Sequence, residues 1–195
     1  MVKAIIFDFD GVIHNTFELY YGINKKINPT VTREEYKDFF NGNIYENKKA
    51  TGPAPIDKFF ELQGKEFEYL IIEEEIRVEL LKLKKKYKLF IVTSNQESTL
   101  KKYFFKNNLQ DLFDEILGVE THKSKVEKFK KLFKEHNLKS EECIFVTDTL
   151  GDILEAKKLD IKTVAVDYGF HEAKRLLKGK PYKIISHIRE IDKIL

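Results

Sequence analysis

Two aspartates one residue apart, Asp8 and Asp10, close the apolar run "VKAIIF" (2–7) and are followed at once by Gly11. Like charges at that spacing resist joint ionisation unless a cation or a proton stands between them. Two later apolar runs also end in polar side chains: "FIVTS" at Thr93 and Ser94, and "IFVTD" at Thr147 and Asp148. Asp152 comes four residues after Asp148, one turn on if a helix begins there, with Gly151 between them. In a parallel sheet the carboxyl ends of all strands share one edge, and open α/β folds bind ligands at that edge. The pattern therefore predicts that Asp8, Asp10, Asp148 and Asp152 gather in one crevice with hydroxyls and backbone amides. All-oxygen ligation of this kind suits a hard cation. Mg2+ fits best, because it accepts partial protein ligation and completes its shell with water and phosphate.

The elements that would position these groups are legible as an alternation. Short runs rich in Ile, Val and Phe recur at 2–7, 87–92, 115–119, 143–146, 162–166 and 182–186, and helix-like segments follow them. Such alternation reads as βα units feeding a parallel sheet. The runs are apolar throughout instead of alternating, which fits a sheet covered by helices on both faces. The segment 98–108 carries Leu100, Tyr103, Phe104 and Phe105 at roughly helical spacing. The segment 124–137 opens with Ser124 and Glu127 at capping-box spacing, and its Val126, Phe129, Leu132 and Phe133 form an apolar stripe. The lysines opposite that stripe are expected in solvent.

One gap breaks the rhythm. Between the first and second strands the sequence offers no convincing strand, and the stretch is far longer than a crossover needs. It reads as helices at 16–27, at 32–40 with Thr32 as N-cap and Glu35 three residues on, and at 66–86, with Pro53 and Pro55 marking a break. A small all-helical module at 16–82, inserted into a core formed by 1–15 and 83–195, is the expected organisation. Within it "NGNIYENKK" (41–49) stands out, since Gly42 permits a turn among polar side chains.

Bulk properties exclude several classes. Hydrophobic residues make up 42% of the 195, too many for a disordered chain. A formal charge of +3 is too weak to imply a nucleic-acid partner, and no interleaving of aromatic and basic residues specifies strand binding. The lone Cys143 sits in an apolar run and reads as a buried thiol. No stretch approaches the roughly 20 apolar residues of a membrane span, and the N-terminal apolar run is too short for a signal-peptide core. A cytoplasmic location is the resulting expectation. Oligomeric state is not encoded legibly.

With these motifs in place, the chain resembles the haloacid dehalogenase superfamily of phosphohydrolases over nearly its whole length, with a phosphoglycolate-phosphatase-like helical cap. "FDFDGV" is similar to that family's first motif, "IVTSN" to the second and "TDTLGD" to the fourth. The resemblance implies a three-layer Rossmann-like sheet with an all-α cap inserted after the first strand. It implies Asp8 as nucleophile, Asp10 as general acid and base, and Thr93 as a phosphate ligand. Ser94, Asn95 and Gly11 would contact substrate, and Asp8, Asp10, Asp148 and Asp152 would hold Mg2+. Either Lys125 or Lys123 supplies the third-motif lysine, with Lys125 slightly favoured by its spacing to Asp148. Thr147 stands where the family usually has glycine, and His14 and Asn15 where relatives commonly carry a hydrophobe and an acid.

The implied activity is Mg2+-dependent hydrolysis of a small phosphorylated metabolite through an aspartyl-phosphate. Such transfer depends on charge neutralisation and in-line positioning, and a carboxylate nucleophile divides it into two easier steps. An aspartate at position 10 argues for phosphate-ester chemistry. Two alternatives share the architecture: a phosphomutase of the β-phosphoglucomutase type, and a low-turnover binding protein that uses the cap as an interaction surface.

Overall fold

The computed structural model describes residues 1–51 and 56–195. Its strands are β1 (Ala4–Phe7), β2 (Lys88–Val92), β3 (Glu115–Leu117), β4 (Cys143–Thr147), β5 (Lys162–Val166) and β6 (Lys183–Ile185). All pair in parallel, in the order β3-β2-β1-β4-β5-β6. The helices are α1 (Phe17–Ile27), α2 (Arg33–Asp38), α3 (Lys48–Thr51), α4 (Ile56–Phe67), α5 (Glu74–Lys84), α6 (Glu97–Lys106), α7 (Lys125–His136), α8 (Leu150–Lys157), α9 (Ala173–Leu176) and α10 (Ile191–Ile194). This is the Rossmann-like α/β fold expected from the alternation.

Strand β1 shows why its residues are apolar at every position. Successive side chains point to opposite faces. Ile5 and Phe7 enter one core with Leu80, Leu100 and Phe104, while Ala4 and Ile6 enter the other with Phe129, Leu132 and Phe145. Both faces are covered, so neither tolerates a polar residue. Chain order reverses at β1 and β4, which lie side by side, and that switch point opens a crevice at their carboxyl ends. Asp8 and Asp148 stand at those ends.

The helices α1 to α4 lie between β1 and β2 and pack on the crevice. Thr32 caps α2 through the complete reciprocal box with Glu35 that the spacing predicts. Phe170, on the loop after β5, meets Phe17 at 5.2 Å and Phe40 at 4.9 Å between ring centroids, both edge-on. Backbone bonds join the same surfaces: Gly151 N–H donates to Phe40 O at 2.9 Å. A Cβ at Gly151 would lie 2.4 Å from Gly42 O, so only glycine permits this approach. His171 completes the tie. Its Nδ1 accepts from Leu150 N at 3.0 Å, so its Nε2 carries the proton and donates to Lys37 O at 2.9 Å. Burial holds its pKa down at about 4, and the ring is neutral.

Four local expectations are corrected. The helix read at 66–86 is two helices, because Asn107 Oδ1 takes the Ile72 N–H at 2.9 Å and Glu73 is extended. Ser124 makes no side-chain cap on α7; Glu155 Oε1 accepts from Lys125 N at 3.0 Å instead. Phe105 points outward, 72% exposed, leaving Leu100, Tyr103 and Phe104 as the buried face of α6. The lysines of α7 are not all in solvent, since Lys128 is fully buried. The break read at Pro53 and Pro55 lies outside the described residues.

Candidate active site

A cavity of about 610 Å3 opens between the carboxyl ends of the strands and helices α1, α2 and α4. Asp8, Asp10, Thr93, Ser94, Asn95, Lys125, Asp148 and Asp152 all line it. Gly11 and Lys123 do not. Gly11 adopts φ +73°, and a Cβ there would fall 1.8 Å from Asp148 Oδ2, so its part is to let that carboxylate approach. Lys123 is exposed, with its ammonium 5.8 Å from the Tyr45 ring centroid.

Lys125, at the first turn of α7, is buried and bridges two carboxylates. Its Nζ donates to Asp8 Oδ2 at 2.7 Å and to Asp152 Oδ2 at 2.6 Å. Asp8 Oδ1 accepts from Phe9 N at 2.7 Å. Thr147, at the family's usual glycine position, donates its hydroxyl to Asp152 Oδ2 at 2.7 Å. Burial drives the Asp8 pKa well above the carboxylate range, against the pull of Lys125, while Asp152 and Asp148 push it further up. Asp152 is also penalised by burial, yet Lys125 and its hydrogen bonds hold it below the usual value. Burial would lower Lys125 as well, but Asp152 and Asp8 raise it, and it remains an ammonium.

Asp10 faces a different set of groups. Its carboxylate accepts from Thr16 Oγ1 at 2.8 Å, from Asn95 Nδ2 at 3.2 Å and from the Tyr20 hydroxyl. Burial pushes it up to about 6 in spite of those bonds, which suits a group that gives and takes a proton near neutrality. Tyr20 in turn accepts from Asn95 Nδ2 at 2.8 Å and from Gln63 Nε2 on α4, so the chain from Asp10 ends on the inserted helices. Thr93 is buried, its Oγ1 accepting from Asn95 N at 3.1 Å and its carbonyl from Lys128 Nζ. Burial, then the neighbouring Lys125 charge, lower the Lys128 pKa to about 7.

Among the described residues no three carboxylate, imidazole or thiol groups form a ready-made cage for a metal ion. The carboxylates of Asp10 and Asp152 are committed to the partners above. Asp148 is half satisfied: Oδ2 accepts from Phe170 N at 2.7 Å, whereas the buried Oδ1 has no partner among the described residues. Burial pushes Asp148 up to about 8. An orphaned carboxylate oxygen beside a second carboxylate short of positive charge fits a hard cation of low protein ligand count.

Sequence reasoning missed Lys128, Tyr20, Gln63 and Glu155. Lys128 had a signal, since it lies three residues beyond Lys125 on the same helix face. Tyr45, in the loop that Gly42 marks, lines the cavity and donates its hydroxyl to Ser94 O at 2.5 Å. His14 does not line the cavity; its ring nitrogen is 3.2 Å from the Tyr103 hydroxyl.

A family model described as haloacid dehalogenase-like hydrolase matches residues 5–166. Pyrophosphatase PpaX of Bacillus cereus is 27% identical, over 93% of this chain and 87% of its own. Phosphoglycolate phosphatase of Vibrio parahaemolyticus is 19% identical, over 97% and 94%. A crystal structure described as a predicted phosphatase, from Clostridium acetobutylicum, superposes with a TM-score of 0.82 at 20% identity, covering all of this chain and 98% of that one.

Proposed function

Because the chain belongs to the haloacid dehalogenase-like hydrolases, we propose that it is a Mg2+-dependent phosphatase that cleaves a small phosphorylated metabolite through an aspartyl-phosphate on Asp8. One observation carries this reading. Asp8 with Asp10, Thr93, Lys125 and Asp148 come from four separate stretches and line one cavity at the switch point of the sheet.

Asp8 is the nucleophile. Its carboxylate oxygen bonds phosphorus as the ester oxygen leaves, and Asp10 donates the proton that the leaving alcohol needs. Asp10 then takes a proton from water as that water attacks phosphorus, which releases phosphate and restores the Asp8 carboxylate. Proton transfer of this kind contributes about 10²–10⁴-fold. Lys125 favours the anionic form of Asp8 against the cost of burial and offsets charge on the phosphoryl oxygens, while the Thr93 hydroxyl and the amides beyond it hold those oxygens. Asp8 and Asp148 would hold Mg2+, which when bound supplies charge stabilisation on the transferring group. Asp152, counted as a ligand from sequence, acts here through Lys125, and Asp10 through its proton.

On this reading α1 to α4 form the cap. Helix α5, whose Leu80 and Leu83 are buried in one cluster with Ile5 and Phe7 of β1, would carry the chain back to the core around the boundary expected at 82. Among the described residues no helix is long and apolar enough to cross a membrane.

The test is phosphate release from p-nitrophenyl phosphate with and without Mg2+. Turnover should require the ion, vanish in Asp8→Asn, and leave a hydroxylamine-sensitive phosphoryl label on the wild-type protein alone. Full turnover by Asp8→Asn would refute the nucleophile assignment.

A further inference from the structure

The cavity carries more information than its phosphate end. Beside the aspartates it is lined by the rings of Tyr36, Phe39, Phe40, Phe59, Phe60 and Phe170. The rings meet edge to face: Tyr36 and Phe40 at 5.4 Å, Phe40 and Phe170 at 4.9 Å, Phe59 and Phe60 at 6.1 Å. A volume of about 610 Å3 sits well inside the range of roughly 300–1,000 Å3 that encloses drug-sized ligands. Tyr36, Phe39 and Phe170 are buried already, so Phe40, Phe59 and Phe60, which are half-buried, are the rings that a leaving group of two carbons, or a second phosphate, would leave against water.

Charge argues the same way. Among the described lining residues the lysines are Lys125 and Lys49. Lys125 belongs to the phosphate end, on Asp8 and Asp152. Lys49 faces Glu35, whose carboxylate it helps to hold below the usual range after the hydrogen bonds from Thr32. Lys49 and Glu35 together therefore offer no net positive charge for a second anion.

Two polar atoms of the cavity lining do seek a partner. Asn24 and Gln63 line the cavity, and Gln63 is 1% exposed and Asn24 9%. Gln63 spends its amide N–H on Tyr20, but among the described residues its Oε1 accepts nothing, and the buried Asn24 Oδ1 accepts nothing either. Two buried acceptors among aromatic rings call for donors carried on a flat, neutral group.

We infer that the cavity selects the phosphate monoester of a neutral, ring-bearing alcohol with hydrogen-bond donors, in preference to pyrophosphate or an acid-bearing phosphate. The inference rests on the phosphatase reading for the phosphate end and goes beyond it for the leaving group. The rings stack against the aromatic wall, and donors on the group satisfy Asn24 Oδ1 and Gln63 Oε1.

Binding separates this claim from hydrolysis. Asp8→Asn protein with Mg2+ is titrated calorimetrically with adenosine 5′-monophosphate, phosphoglycolate and pyrophosphate. The nucleotide should bind at least tenfold more tightly than either anion-bearing ligand. Adding Asn24→Leu should weaken nucleotide binding about tenfold, and adding Phe60→Lys should shift the preference toward pyrophosphate. A nucleotide advantage below tenfold, or tighter binding of pyrophosphate or phosphoglycolate, overturns the inference while leaving the phosphatase reading intact. A nucleotide advantage in binding with no phosphate released by the wild type from any of the three, or from p-nitrophenyl phosphate, supports the inference and overturns the hydrolytic reading.

Discussion

The ammonium of Lys125 stands 2.7 Å from Oδ2 of Asp8, and both side chains are buried. Breaking such a pair leaves the partner charge without compensation, at a cost of about 3–5 kcal/mol. Lys125→Met should therefore lower both the urea midpoint and kcat, the latter by a factor of 10² or more. Lys123→Met, which changes an exposed side chain, should leave kcat within about twofold. Equal losses in the two variants would undo the assignment of Lys125.

Glycine 11 supplies a second test. Its φ of +73° and the 1.8 Å approach of a Cβ to Asp148 Oδ2 predict that Gly11→Ala destabilises by several kcal/mol and displaces that carboxylate. Gly22, within α1, meets nothing within 4 Å, so Gly22→Ala should stabilise by about 0.5–1 kcal/mol. Thermal melts of the two variants should move in opposite directions.

His171 gives the fold a dependence on acidity. Its pKa is about 4 when folded and 6.5 for the free side chain, so the unfolded chain binds the proton more readily between those values. The stability it contributes is complete above pH 6.5 and is lost as pH falls toward 4, by up to about 3 kcal/mol. The stability gap between wild type and His171→Gln should narrow between pH 7.5 and pH 5 in urea titrations. A gap that stays constant would show that the ring does not titrate as placed.

Lys128 works in the same direction over a higher range. Its ammonium is buried on the Thr93 carbonyl and its pKa falls to about 7, so below pH 10.5 folding carries a penalty that grows as pH drops to 7. Lys128→Met should raise stability at pH 7, on the order of 1–4 kcal/mol, and lower kcat by loosening Thr93. A variant both less stable and fully active would contradict this.

The carboxyl edge was legible from sequence because apolar strands announce themselves and every parallel strand delivers its next residue to the same place. Asp8, Thr93 and Asp148 reach one cavity for that reason alone. What stayed hidden depends on contacts between distant segments. Ser124 and Glu127 have the spacing of a cap, but Glu155 from α8 takes the amide first. The 66–86 stretch has helical periodicity, but the side chain of Asn107 interrupts it. Lys128 shares a helix face with Lys125, but its burial depends on the chain at Thr93, whose carbonyl it meets. Asp10 finds Tyr20, and through it Gln63, only once the inserted helices have folded back.

Strand β1 sits between β2 and β4, pairing Ala4 with Lys88 on one side and with Cys143 on the other. Strand β1 is thus flanked on both sides only after about 140 further residues have been made, roughly 7–28 s later at 5–20 residues per second. Through that interval a wholly apolar segment bearing the candidate nucleophile waits without its second neighbour. A slow translation step placed before β4 should therefore raise aggregation far more than the same step placed after it.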